Sequence, residues 1–352
     1  MAIDESKIEE FMGKVVTELG ACEGVALHRI GDQLGIWKAM AGAGALTPAQ
    51  VAERASCDER YVREWLAAET AAEYIEYDEA TGTFTLNDLV AAAMADEDSP
   101  MFLGGAWQLA CSVFTDLPKV TAAFKTGGGV GWGEHSHDLF EGVERFFRPG
   151  YNTNLVAEWL PALDGVVEKL EAGAKVADVG CGHGASTIIL AQAYPNSTFV
   201  GYDTHDASIV HARKAAAEAG VADRVTFEVA PAQSYPGTGY DLVCFFDCLH
   251  DMGDPDGAAK HVRSTLADDG TWLLVEPYAN GSLTENMNPV GRVYYASSTL
   301  ICLPASLADE GRRGLGNQVP DDTWAEVTQA VGFSRFRRAT ETAFNRVFEV
   351  RP

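Results

Sequence analysis

The sequence predicts an α/β fold in which a doubly wound parallel sheet follows a mostly helical N-terminal domain. Three observations carry that expectation. The first is the stretch Val176–Leu190, VADVGCGHGASTIIL, where a short apolar strand runs through Gly180, Gly182 and Gly184 into a helix with apolar spacing from Ala185 to Ala193. The second is the alternation of strand and helix patterns after it, as a parallel sheet requires. The third is a run of helical periodicities before it that gives way to a short hairpin.

At 352 residues, 47% hydrophobic and 22% charged, the chain is long enough for two domains with ample apolar core. Lys and Arg total 26 against 51 Asp and Glu, a formal charge of −25. Such a surface repels phosphate backbones and anionic lipid, so general nucleic-acid and membrane binding are not expected. No apolar run approaches a membrane span, and MAIDESKIEE has neither the basic start nor the apolar centre of a signal peptide. Seven cysteines without regular spacing suit reduced thiols, and a cytoplasmic protein is expected. Cys244 and Cys248 lack a second pair of matching spacing, so they read as buried thiols rather than metal ligands.

Taken in order, residues 1–19 place Ile8, Phe11, Met12, Val15, Val16 and Leu19 on one helical face. That face must pack on its own domain or on a partner chain. Ala21–Met40 reads as a second helix, and Thr47-Pro48-Ala49-Gln50 as a capped helix start with Pro48 in the first turn. A further helix from about Asp58 places Tyr61, Val62, Trp65 and Leu66 inward, and Tyr74–Tyr77 and Thr83–Leu86 flank DEATG as a hairpin. Together these make a winged helix. DNA binding is the reading such a unit invites, and charge argues against it. The would-be recognition helix carries Asp58, Glu59, Glu64 and Glu69 against only Arg60 and Arg63. Packing and homodimer formation fit it better.

The segment GGGVGWG, Gly127–Gly133, is flexible by composition and carries Trp132; a lid over a pocket and a plain connector are both open readings. His135-Ser136-His137 lacks further ligands at a metal-binding spacing. Tyr151–Leu170 looks helical, with Trp159, Leu160, Leu163, Val166, Val167 and Leu170 as core. Beyond the glycines, strands are expected at Ser197–Tyr202, Arg224–Val229, Tyr240–Phe246 and Thr271–Val275, with FSRFRRAT and FNRVFEVRP as two neighbouring strands that close the sheet.

Ligands of an open parallel sheet sit outside the carboxyl ends of its strands. Here those ends carry Asp203, the run Ala230-Pro231-Ala232-Gln233, Asp247 to Asp251, and Glu276. Gly180, Gly182 and Ala185 also satisfy the dinucleotide pattern, so the glycines alone indicate only a nucleotide-like cofactor. Asp203, 19 residues after Gly184, can accept hydrogen bonds from both hydroxyls of a ribose. Asp178, two residues before Gly180, stands where dinucleotide sites usually have an apolar side chain. A carboxylate there suits a ligand with a positive ammonium or sulfonium.

With VADVGCGHG, Asp203, LHDMGDP and LADDGTWLLVEP in view, the sequence resembles the class I S-adenosylmethionine-dependent methyltransferases. More narrowly, it is similar to the branch with an N-terminal winged helix, which includes plant and bacterial small-molecule O-methyltransferases and a group of actinobacterial enzymes. The motif match spans about Lys175 to Pro277. The resemblance implies a Rossmann-like, seven-stranded methyltransferase sheet over residues 171–352, a winged-helix dimerisation domain over 1–98, and a helical linker with a candidate cap over 99–170. It implies S-adenosyl-L-methionine as cofactor, S-adenosyl-L-homocysteine as product, and a small-molecule acceptor. The backbone of Gly180, Gly182 and Gly184 would pass under the methionine part, Asp203 would hold the ribose, Ala232 and Gln233 would reach the adenine, and Phe246 would lie beside the methionine. The family usually has an acid after the third strand, whereas this chain has Ala230-Pro231-Ala232, so Gln233 or backbone must substitute.

By the same resemblance His250 is the general base for an acceptor hydroxyl, and Glu276 fixes its tautomer. An imidazole suits that task because its pKa lies near neutrality. Methyl transfer is an in-line displacement at an activated sulfonium, for which alignment and water exclusion matter most and no metal is required. Met252 stands where the family has Trp, which alters the acceptor pocket. Trp132, Tyr151, Tyr278, Tyr294 and Tyr295, with Asn280, Asn286 and Asn288, suggest an aromatic acceptor pocket, and core or interface roles explain the same aromatics as well. N- or C-methylation on the same fold, a cofactor-sensing winged-helix regulator and a nicotinamide dehydrogenase remain the alternatives.

Overall fold

A computed structural model describes residues 4–352, so the first three positions of the expected N-terminal helix lie outside the described residues. The chain divides into two compact units. One comprises the chain up to Ser112 together with Glu141–Pro149, and the other Val113–Phe140 with Gly150–Pro352.

In the first unit, α1 (Glu5–Gln33) is one continuous helix capped by Asp4, not the two helices the sequence suggested. Gly20 is its midpoint break in the pattern, and nothing crowds it. A lone glycine costs a helix only about 1 kcal/mol. Then α2 (Ile36–Met40), α3 (Pro48–Ala55), α4 (Glu59–Ala71), the hairpin β1 (Glu76–Asp78) and β2 (Thr83–Thr85), and α5 (Asp88–Met94) complete a winged helix. The capping box at Thr47 and Gln50 is present, with Pro48 in the first turn. Val62, Trp65 and Leu66 form the buried stripe of α4, but Tyr61 is 81% exposed, contrary to expectation. One residue before Val62 on a 3.6-residue period, it turns away from the core.

Two longer helices follow, α6 (Gly104–Thr126) and α7 (His137–Asn154), and the boundaries between the units fall inside them. The expected helix over Tyr151–Leu170 is interrupted: α7 passes into a π-helical turn at Leu155–Trp159, and α8 (Val166–Ala172) starts afresh after Gly165 in the left-handed region.

In the second unit, seven strands form one sheet. In chain order these are β3 (Lys175–Val179), α9 (Ala185–Ala193), β4 (Thr198–Asp203), α10 (Asp206–Glu218), β5 (Val225–Val229), β6 (Tyr240–Phe246), α11 (Pro255–Thr265) and β7 (Leu266–Pro277). They continue with α12 (Pro289–Ser297), α13 (Leu303–Ala308), α14 (Asp321–Ala330), β8 (Arg335–Glu341) and β9 (Asn345–Arg351). The spatial order is β5-β4-β3-β6-β7-β9-β8, with β9 antiparallel to both neighbours and the other pairs parallel. The seven expected strands, including the two of the tail, are all there. Both faces of the central strands are covered, so Ala177, Val243, Phe245, Leu274 and Phe348 read as near-continuous apolar runs.

Several charged side chains are buried on the strands of this sheet, and one of them is an arginine. Arg346 on β9 is fully enclosed and donates to the carbonyls of Pro277 and Val319 and to Asp321 Oδ1 at 2.6 Å. Replacing it with Met leaves Asp321 Oδ1 and two carbonyls without this donor, while Arg338 still holds Asp321 Oδ2. Arg346→Met is expected to destabilise the fold by about 3 kcal/mol, read as a lowered urea midpoint with unchanged slope.

Candidate active site

The chain runs from β3 to β4 on one side and returns to β6 on the other, so the space beyond the carboxyl ends of β3 and β6 is the switch point of the sheet. The glycine turn leaves β3 there, and the Asp247–Asp251 segment leaves β6.

The turn is folded back over β4 by two hydrogen bonds, from the N–H groups of Gly180 and Cys181 to the carbonyl of Tyr202 at 2.7 and 3.0 Å. At Gly184, φ is +84° and a Cβ would lie 2.6 Å from the Phe227 ring, so only glycine brings α9 this close to the sheet. Gly182 also has positive φ, +52°, but a Cβ there would meet nothing within 4 Å. Its backbone faces open space. The Gly182 N–H donates to Asp203 Oδ2 at 2.9 Å, and the His205 N–H donates to Oδ1 at 2.8 Å. Asp203 is thereby fixed at the end of β4 beside the turn, with lone pairs to spare. Burial raises its pKa, and the two N–H donors oppose that rise.

Asp178 is 1% exposed. Its Oδ2 accepts hydrogen bonds from the hydroxyls of Ser186 and Thr187, each at 2.6 Å, whereas Oδ1 has no partner. Burial pushes its pKa up to about 6, against the two hydroxyl bonds, and the charge of Asp203 adds to the rise. A buried carboxylate oxygen without a partner is costly, and a cationic ligand would relieve it.

At the end of β6, Asp247 takes φ +52°, unusual for a residue with a side chain, and Asn345 Nδ2 holds both of its carboxylate oxygens at 2.7 and 3.0 Å. The chain then makes one 3-10 turn, Leu249–Asp251. His250 is 3% exposed, and its Nδ1 lies 2.7 Å from Glu276 Oε2. The other Glu276 oxygen accepts the Leu249 N–H at 3.1 Å, so one buried carboxylate fixes both the turn and the ring. His250 Nε2 lies 3.0 Å from Asp251 Oδ1. Burial alone would lower the ring's pKa, but the charges of Asp251 and Glu276 outweigh it and raise the pKa well above the usual histidine value. An imidazole with one nitrogen held by a buried carboxylate can take and keep a proton on the other.

The aromatic residues named as acceptor candidates make separate ring and hydrogen-bond contacts. The Tyr151 ring lies 5.3 Å from the Phe246 ring, which stacks at 6.3 Å on Trp159, and these three stand beside the β6 end. The Trp132 ring meets Phe140, and Phe140 stacks on His205 at 4.2 Å, which puts Trp132 on the Asp203 side. Tyr278 and Tyr294 are both tied to the Phe344 carbonyl, by an N–H and a hydroxyl, and the Tyr278 ring lies under Arg338. Tyr295 is half-buried on α12. Asn280 and Asn286 bond to each other and Asn288 caps α12, so the three asparagines build a loop.

Ala232 sits in the core, and the amide of Gln233 donates to the Asp254 carbonyl at 3.1 Å. The glycine-rich segment is strapped down. Val130 N–H donates to the Pro304 carbonyl, Arg312 donates to the Gly127 carbonyl, and a Cβ on Gly129 would lie 2.2 Å from the Ala308 nitrogen. His135 is paired with Asp116 at 3.0 Å. Ser186, Thr187, Asn345 and Cys302 were not foreseen. The polar pair inside ASTIIL is a usable signal for the first two, whereas Asn345 and Cys302 come from distant elements without one.

A glycine turn, a buried acid beside it and a histidine–carboxylate pair thus gather at the switch point of the sheet. Residues 170–326 match the family described as methyltransferase domain, and residues 23–95 the one described as Rv2258c-like winged HTH domain. The chain thus carries a methyltransferase domain preceded by a winged helix-turn-helix domain. It is 33% identical over 189 residues to 27-O-demethylrifamycin SV methyltransferase of Amycolatopsis mediterranei; the match takes in 51% of this chain and 64% of that protein. The chain thus spans less than two thirds of that relative's length. In fold it is similar to human N-acetylserotonin methyltransferase in complex with SAM, with a TM-score of 0.73 at 14% identity over 100% of this chain and 99% of the other. It is also similar to an O-methyltransferase family protein from Burkholderia thailandensis, with a TM-score of 0.68 at 15% identity over 100% and 99%.

Proposed function

We propose that this protein is an S-adenosylmethionine-dependent methyltransferase that moves a methyl group to the hydroxyl of a small molecule, with His250 as general base. The observation that carries this reading is the buried His250–Glu276 pair, 2.7 Å apart, at the same switch point as the glycine turn. The open face of Gly182, the spare lone pairs of Asp203 and the unpartnered oxygen of Asp178 fit the cofactor's backbone approach, ribose and cationic end. When bound, the cofactor supplies a methyl group already activated on a sulfonium.

The chain's own residues do the rest. Phe246, Tyr151 and Trp159 give an apolar flank that keeps water from the β6 end. Glu276 accepts the Nδ1 proton of His250, so in the neutral ring the Nε2 lone pair takes the acceptor's hydroxyl proton. The flanking carboxylates that raise the ring's pKa also stabilise the imidazolium formed in that step. Labelled-methyl transfer to 27-O-demethylrifamycin SV and simple phenols, set beside matched amines, tests the reading. Label on oxygen is expected, and label only on nitrogen or carbon contradicts it.

Asp178 makes cofactor affinity depend on pH. Its carboxylate form attracts a cation and its protonated form does not, and in the free protein it titrates at about 6. Affinity is therefore expected to be full above that pH and to fall by up to about tenfold per unit below it. Calorimetry across that range checks this, and Asp178→Asn should flatten the dependence.

The remaining surfaces support a homodimer that does not bind nucleic acid. On α4, Arg60 pairs with Glu64 and Arg63 with Glu59, each at 2.5 Å, so the helix neutralises its own cations. On α1, Ile8, Phe11, Met12, Val16 and Leu19 are 44–64% exposed in a single stripe, and Leu27, Ile30, Leu34 and Tyr61 line an apolar groove between α1 and α4. Light scattering is expected to give a dimer, and Phe11→Asp with Val16→Asp a monomer. Among the described residues no helix is long and apolar enough to cross a membrane, and all seven cysteines are free; both suit the cytoplasm.

A further inference from the structure

Among the described residues, one group of side chains has metal-ligand character: His250, Asp251 and Cys302, whose Nε2, carboxylate oxygen and Sγ all lie within 4.8 Å of one another. We infer that this trio is a binding site for a single zinc-class divalent cation, which silences the protein by occupying Nε2 of His250. The second half of the inference rests on the base reading given above; the first half does not.

Five features support the site. The donors are an imidazole nitrogen, a thiol and a carboxylate, the set that favours zinc or cobalt over magnesium and calcium. His250 and Cys302 are 3% and 6% exposed, so neither donor is a solvated surface group. Asp251 Oδ1 is buried and, although 3.0 Å from Nε2, makes no aligned hydrogen bond with any group, which leaves its lone pairs for a cation. Glu276 already holds Nδ1 of the ring at 2.7 Å, the carboxylate–histidine arrangement that orients metal-bound imidazoles. Cys302 closes the π-helical turn Ser298–Cys302, an irregular turn of the kind that recurs at functional positions.

Three protein donors leave a fourth tetrahedral position for water. On binding, the Cys302 thiol gives its proton to solvent, its sulfur and the Nε2 lone pair bind the metal, and no electron is transferred. The same lone pair is then no longer there to accept a hydroxyl proton.

The test uses cobalt(II) on the chelator-treated, full-length protein, since cobalt reports coordination by colour. One equivalent is expected to produce the thiolate-to-cobalt charge-transfer band and the intense visible bands of four-coordinate cobalt. Cys302→Ala, with fold checked by circular dichroism, should lose the charge-transfer band. Glu276→Gln should keep the band but weaken cobalt affinity about 10- to 100-fold. No band in the folded wild type, or a band that Cys302→Ala leaves intact, overturns the site. Zinc should inhibit methyl transfer by the wild type in proportion to occupancy. A cobalt band lost in Cys302→Ala, together with zinc-insensitive methyl transfer, keeps the site and overturns its inhibitory role.

Discussion

His250→Ala is expected to lower methyl transfer by about 10²- to 10⁴-fold, the range that a positioned general base contributes. Cofactor affinity should be unchanged, because the ring is held by Glu276 while the glycine turn is held by Tyr202 and Asp203. The split between turnover and binding is the informative part. A ring that merely filled the core would, on removal, weaken everything together through lost stability. Glu276→Gln should follow the same pattern, since a neutral amide can present the wrong tautomer and cannot stabilise an imidazolium. Single-turnover rates with calorimetry on the same preparations check both. Unchanged turnover in His250→Ala would remove the base assignment and leave the fold untouched.

Asp203→Ala is the converse case, expected to lose the cofactor rather than the chemistry. The oxygens of Asp203 hold the N–H groups of Gly182 and His205, and in the proposed reading its spare lone pairs accept from the ribose hydroxyls. Hydrogen bonds to a charged group are worth about 1.5–3 kcal/mol each, so losing two ribose bonds weakens binding by about 10²-fold or more. Asp203→Asn retains an acceptor oxygen and should fall between wild type and alanine. Affinity preserved in a folded Asp203→Ala variant would show that the turn binds its ligand without this acid.

The parts of this architecture that follow from local rules were legible in the sequence. All seven sheet strands, the capping box at Thr47 and the hairpin around DEATG come from period, turn chemistry and capping alone. The pairing of His250 with Glu276 was legible through the family resemblance, with His250 in the turn after β6 and Glu276 at the end of the neighbouring parallel strand β7. What was missed depends on residues brought together from afar. The helix break inside Tyr151–Leu170 is a π-turn that apolar spacing does not reveal. The bonds by which the asparagines after β7 build their own loop were not legible, since short polar side chains serve turns as readily as ligands. The glycine-rich segment looked free because glycine is permissive. It is strapped because glycine alone lets the backbone touch α13 so closely. Asn345 on Asp247 and Cys302 near His250 arise only from tertiary contact, and no local pattern announces either.

The central claim is that the turn after β3, with Asp178 and Asp203, is built for a cationic methyl donor rather than for a dinucleotide. Calorimetric titration of the purified protein with S-adenosylmethionine and S-adenosylhomocysteine, with NAD as control, tests it most directly. Micromolar binding of the first two and none of NAD is the predicted result. Binding of NAD without either of the others would contradict it.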